Sequence, residues 1–208
     1  MKRLLLIVLV LLPLFGLAQD LKHEIGLSPI RVALFSSANN LVVGPELRYR
    51  YHVGNAAFRA NASWNRNRNN QVFRDAELSA NTISHQYRLN LGVQYGFQYG
   101  EDVFFYGFKD TGPRYVDVES DILSRGNVIQ TELFLLGFGL DAGLGIDWRI
   151  TAHLHLSLEL SSTLFMGFSQ GTGFIFDGND IVETRAIEQL QSSFGLLNLS
   201  GLALSYRF

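Results

Sequence analysis

Between Val43 and Val53 the side chains separate by parity. Val43, Leu47, Tyr49, Tyr51 and Val53 fall on one parity, and Glu46, Arg48, Arg50 and His52 on the other. Successive side chains of a strand point to opposite faces, so this segment carries one apolar face and one charged face. A helix, turning about 100° per residue, would mix the same arginines and tyrosines around its whole circumference.

The alternation returns along the chain. Phe58, Ala60, Ala62 and Trp64 oppose Arg59, Asn61 and Ser63. Tyr87, Leu89, Leu91, Val93, Tyr95 and Phe97 oppose Arg88, Asn90 and Gln94. Alternate positions from Phe134 to Trp148 oppose Gly137, Gly139, Asp141, Gly143, Gly145 and Asp147. Leu154, Leu156, Leu158 and Leu160 oppose His155, Ser157 and Glu159, and Leu202, Leu204, Tyr206 and Phe208 oppose Ala203, Ser205 and Arg207. Two weaker strands, Lys22 to Val32 and Val103 to Lys109, complete a count of about eight. Pro29 marks a bulge or a strand end.

Connections alternate between short and long. Gly54-Asn55, Gly100-Glu101 and Arg149-Ile150-Thr151 are short, and the first two suit tight hairpins. Ser36 to Asn40, Asn65 to Ala80, Thr111 to Asn127 and Ser169 to Leu190 are polar, and all but the first are long. Soluble domains rarely hold three structureless loops of such length. The expected fold is all-β: a membrane-spanning antiparallel up-and-down barrel of about eight strands, with short periplasmic turns and long outer loops. Three features place the apolar parity against lipid. The strands exceed the usual globular length, and the polar parity is rich in Gly, Ser, Asn and Gln with mixed charges, which suits a narrow lumen. Aromatics also gather near the short turns: Tyr51, Phe58, Tyr95, Phe97, Trp148, Tyr206 and Phe208 form the expected girdle.

Composition agrees. The chain is 47% hydrophobic and 12% aromatic with 20 glycines, yet past Ala18 it has no apolar run long enough for a membrane helix. Residues 1–18 have the layout of a signal peptide: Lys2 and Arg3, the run Leu4 to Leu12, then Gly16-Leu17-Ala18 before Gln19. Residues 19–208 are then the barrel domain. With no cysteine, disulfides and a lipidated N-terminus are both excluded. A formal net charge of −2 gives no reason to expect a nucleic-acid partner.

Leu204-Ser205-Tyr206-Arg207-Phe208, read with this alternation and leader, resembles the C-terminal assembly signal of bacterial outer-membrane proteins, carried here by Leu204, Tyr206 and Phe208. The chain as a whole resembles the eight-stranded OmpA/OmpX/OmpW-like barrels. That resemblance implies residence in the outer membrane, contact with its lipid and lipopolysaccharide, and insertion by the barrel-assembly machinery. With the barrel ending at Phe208, no peptidoglycan-binding domain of the OmpA kind is expected.

Glu46, Arg48, Arg50, Arg59, Arg88, Asp141, Asp147, Glu159 and Arg207 form the expected lumen set. An eight-stranded interior is scarcely wider than its own side chains, so a salt-bridged plug is favoured over a solute path. His153, His155, Ser157 and Glu159 would share one face, about 7 Å apart per step. His155 and Ser157 resemble the His-x-Ser of lipid A deacylase barrels, where Ser is the nucleophile, His its base, and an acid orients the His. The family's acid position falls on Ser169, leaving Glu159 to substitute, and the pair lies at the periplasmic end, away from lipid A. Lumen hydrogen bonding therefore outranks catalysis. The two histidines also suit chelation, but without further ligands no metal and no cofactor is assigned.

Leu133, Leu135, Phe165, Leu197 and Leu199 lie on the polar parity near the outer end. They read as an apolar pocket or, preferably, as a register change at Ser200-Gly201. Arg66, Arg68 and Arg74, then Asp110, Asp117, Glu119 and Asp121, then Asp177-Gly178-Asn179-Asp180 are assigned to outer loops. The last group has calcium-ligand chemistry. The expected function is that of a non-enzymatic outer-membrane barrel, structural or an accessory subunit of a larger envelope assembly alongside other outer-membrane proteins. The alternative is OmpW-like binding or passage of small hydrophobic molecules; a second is a lipid A-modifying enzyme.

Overall fold

The computed structural model describes residues 22–32, 41–42, 44–73, 78–124, 127–177 and 180–208. The leader expected over residues 1–18 lies outside them, as do Arg74 and the centre of the Asp177–Asp180 group. Nine strands follow one another: β1 (His23–Val32), β2 (Leu41–Val42), β3 (Glu46–Val53), β4 (Ala56–Phe73), β5 (Leu78–Tyr99), β6 (Val103–Ser124), β7 (Asn127–Arg149), β8 (Leu154–Asp177) and β9 (Asp180–Arg207). Both β2 and β3 pair with β1, so together they form a single wall strand and the ring has eight. From β3 onward each strand pairs antiparallel with the next, and β9 returns to β1 through Glu24↔Arg207, Gly26↔Ser205 and Leu27↔Leu204. The sheet closes on itself, which removes its edges at that level.

The tight turns are where the sequence places them. Val53 pairs with Ala56 around Gly54-Asn55, and Gly54 takes φ 61°, the left-handed conformation that such hairpins need. Gly100 (φ 65°) does the same between Tyr99 and Val103. The opposite end differs from expectation. Asn65–Ala80, Thr111–Asn127 and Ser169–Leu190 are paired ladders, continuing to Phe73↔Leu78, Ser124↔Asn127 and Asp177↔Asp180. Beyond the bilayer both faces of a ladder meet water. Apolar alternation then fades, while backbone pairing continues in the register set below it.

The barrel is inside out relative to a soluble one. Leu89, Leu91, Val93, Tyr95 and Phe97 are all exposed on the outside of β5, while Arg50, Glu24 and Glu159 are 2% exposed or less. Beside the turns, Phe58, Tyr95, Phe97, Tyr99, Trp148 and Tyr206 form one exposed aromatic ring; Trp64, Tyr87, Tyr115, Phe134 and Phe168 form another toward the outer hairpins. Along β5 the rings are ten residues apart, Tyr87 to Phe97. At about 3.3 Å per residue and a tilt of about 40°, that spans roughly 25 Å, the height of an outer-membrane hydrocarbon belt.

Inside, glycines on β7 make room for large side chains from β6. A Cβ on Gly145 would collide with the Tyr106 ring, and one on Gly143 with Phe108. The glycine-rich face that the sequence shows from Gly137 to Gly145 is thus a mould for its neighbours' bulk.

Candidate functional site: the charged lumen

Period-two geometry points Glu24, Arg48, Arg50, Arg59, Asp110, Asp141, Asp147 and Glu159 inward from six different strands. All are buried. At the turn end, Glu24 accepts from Arg207 (3.0 Å) and pairs with His52 (2.8 Å). Asp147 lies 3.4 Å from Arg207 and accepts the Ser157 hydroxyl at 3.2 Å. Arg50 bridges this tier to the next, donating to Glu24 at 3.0 Å and to Glu159 at 2.9 Å.

Glu159 is the hub. Arg48 (3.2 Å), Arg50 and Arg59 (3.0 Å) converge on its carboxylate, and the Tyr106 hydroxyl donates to it at 2.7 Å. Arg48 also pairs with Glu46 at 2.7 Å. Arg59 reaches onward to Asp110 (3.1 Å), with its guanidinium 4.1 Å from the Phe108 ring centroid. Above that, Asp141 gathers Arg114 (2.9 Å), Asn90 (2.8 Å), Arg88 (3.6 Å) and the Thr163 hydroxyl.

The described lumen thus sets six arginines (Arg48, Arg50, Arg59, Arg88, Arg114, Arg207) against six carboxylates (Glu24, Glu46, Asp110, Asp141, Asp147, Glu159). Stripping water from one unpaired ion costs several kcal/mol, so a narrow interior holds charges only when they are matched and hydrogen-bonded. Matching here runs from the turn end to the outer hairpins. The arrangement packs the middle of the interior with paired ions.

Three members of the network escape the sequence-based set. Glu24 sits in a strand of weak alternation. Asp110 and Arg114 lie past Lys109, where the strand was expected to end, so Asp110 was assigned to a loop; it is instead 3% exposed at the lumen's centre. Continuing the parity of Tyr106 and Phe108 would have found both Asp110 and Arg114. Asp117, Glu119 and Asp121 do lie on the outer extension of β6, on its outward parity, as Arg66 and Arg68 lie on that of β4.

The catalytic row is not assembled. His155 and Ser157 are both buried, but each turns to Asp147 (His155 Nδ1 at 3.6 Å) rather than to the other. Glu159, the substitute acid, is held by three arginines. His153 precedes β8 and stacks on Tyr206 instead of joining His155, so the chelating pair is also absent. Both changes follow from the strand's start at Leu154, one residue after His153.

Leu135 and Phe165 face inward and line a cavity of about 180 Å³ over the Arg114–Asp141 tier, together with Val116 and Arg88. The side chains of Leu197 and Leu199 lie outside the described residues. The β8–β9 register passes from Glu159↔Gly201 to Leu160↔Leu199, omitting Ser200, so pairing is irregular at the place expected for a bulge. In the terminal pentapeptide, Leu204 and Tyr206 are exposed on the outer wall, whereas Phe208 is buried, stacked on His23, with its backbone paired to His23 across the seam.

Apolar exterior, two aromatic rings about one bilayer apart and a buried, ion-paired interior define a membrane-spanning β-barrel of the outer-membrane type. Several solved structures are similar to the chain. Ail, the attachment invasion locus protein of Yersinia pestis, is 15% identical with a TM-score of 0.44, covering 90% of this chain and 97% of that one. Neisserial surface protein A is 13% identical with a TM-score of 0.39, covering 91% and 98%. Outer membrane protein W of E. coli is 14% identical with a TM-score of 0.38, covering 90% and 97%. No protein-family model matches the chain, and no curated protein matches it.

Proposed function

We propose that this chain is a non-enzymatic barrel of the bacterial outer membrane, a structural element or accessory subunit of a larger envelope assembly. The carrying observation is the matched ionic lumen: charged side chains from eight strands pair with one another across the interior, leaving the wall and the outer hairpins as the surfaces that act. Its leader (residues 1–18) and its Leu204-Tyr206-Phe208 terminus fit export and insertion by the barrel-assembly machinery. Affinity purification of the tagged barrel from detergent-solubilised native membranes tests the subunit role. Co-purification of another envelope protein at a fixed ratio is expected; recovery of the barrel alone overturns it.

One observation favours a second reading. The cavity sets Leu135, Phe165 and Val116 beside Arg88 and Arg114, with the Arg114–Asp141 ion pair beneath, which suits holding a small hydrophobic molecule with a polar end rather than passing it. Quenching of a fluorophore at Ser193, on the cavity's rim, by a brominated fatty acid would support this reading, and no quenching at saturating ligand would remove it.

A further inference from the structure

The lipid face of β6 is unlike that of every other long strand. It reads Phe105, Gly107, Lys109, Thr111, Pro113, Tyr115, where β5 beside it presents leucine, valine and aromatics. Lys109 is exposed and lies directly opposite Val93 on β5 and Ala142 on β7. Val93 is six residues from Tyr87 of the outer ring and four from Phe97 of the turn-side ring, so Lys109 sits within one residue of the middle of the hydrocarbon belt. Among the described residues it has no ion-pair partner, and no other residue facing lipid between the two rings is charged. An ionisable side chain at this depth is costly and signals a use.

The wall around it is hollowed. A Cβ on Gly107 would have nothing nearer than 3.8 Å. Gly107 is flanked by Tyr95 and Leu144 and floors a groove of about 590 Å³ that also touches Phe105, Ile146 and Leu158. Lys109 stands one step up the same face, about 7 Å along the strand.

The geometry points to a docking surface on the β5–β7 wall for a membrane-embedded protein segment that brings a carboxylate to Lys109 and a bulky apolar side chain into the Gly107 groove. This rests on the subunit reading above and names the face that would serve it. An acyl chain would fill the groove but leave the ammonium unpaired, since lipid phosphates lie at the level of the rings. A second copy of this chain offers no acidic residue on its described lipid face, and copies meeting through this wall would set Lys109 against Lys109.

The test places a photo-reactive phenylalanine analogue at Ala142, with a control at Leu202 on β9, three strands round the ring from Lys109, and irradiates intact cells. One protein adduct is expected from Ala142 and none from Leu202. Its mapped segment contains Asp or Glu, its yield falls at least tenfold with Lys109→Met, and Lys109→Arg retains it. Equal yield with Lys109→Met, adducts only with lipid or a second copy, or a mapped segment without an acid overturns the proposal. Pull-down separates the two readings: a partner retained equally by Lys109→Met leaves the subunit role standing and removes this interface, whereas a solitary wild-type barrel removes both. In vesicles holding the purified barrel alone, Lys109→Met should raise the folded-to-unfolded ratio about 30-fold, because the wild-type charge then has no counterpart. A fall in that ratio would show that Lys109 serves its own barrel and would also overturn the proposal.

Discussion

At the scale of single residues, the most consequential is Glu159, because three guanidiniums and a phenol depend on one carboxylate. Glu159→Gln removes the charge while keeping the shape, and should destabilise the barrel by about 3–5 kcal/mol, since partners are left buried without their counter-ion. Urea titration of the barrel in lipid vesicles reads this directly. A change below about 1 kcal/mol would mean that charge pairing does not hold the lumen together. Ser157 makes the contrasting case. Its hydroxyl gives one hydrogen bond to Asp147, so Ser157→Ala should cost only about 1 kcal/mol. It should also leave the lipid A profile of producing cells unchanged; an altered profile would restore the catalytic reading. The lumen parity was legible for most members of this set. Glu24, Asp110 and Arg114 were missed because weak alternation hid the first and a misplaced strand end hid the other two.

At the scale of elements, β7 and β6 are shaped as a pair. Gly145 is small because Tyr106 lies over it, and Tyr106 is in turn a donor to Glu159. Gly145→Val should displace the ring and cost about 1–3 kcal/mol by overpacking. Gly107→Val, on the open outer side of β6, should leave stability in vesicles nearly unchanged, and comparison of their unfolding midpoints checks both. The outer hairpin of β8 and β9 belongs to a different regime. Ring closure between β9 and β1 covers only Leu199 to Arg207, so replacing residues 173–185 by Asn-Gly should leave the heat-modifiable gel shift of the folded barrel intact. Loss of that shift would show that the projecting ladder is required for closure.

At the scale of the whole molecule, lumen charge balance has an electrical consequence. An interior packed with paired ions should give no steady conductance in a planar bilayer. Removing one matched pair near the hub, Arg50→Ala with Glu159→Ala, should introduce conductance steps. Steady wild-type channels would contradict a lumen plugged by its own ion pairs and revive the solute path. The apolar belt and the two aromatic rings act at the same scale: they place the barrel at one depth, which is what gives the position of Lys109 its meaning.

Strand identity, the even count, the turns at Gly54 and Gly100, and the allocation of arginines and acids to one face were all present in the sequence. Each depends on residues one or two apart, and period-two alternation records that in the chain itself. Which carboxylate meets which guanidinium could not be read there, because Glu159 collects Arg48, Arg50 and Arg59 from at least 100 residues away, through a register that only ring closure sets. The outer ladders escaped for a related reason: with water on both faces, pairing leaves no hydrophobic imprint. Lys109 was visible as a letter all along. Its depth in the membrane became a property of the protein only once neighbouring strands placed it midway between two aromatic rings.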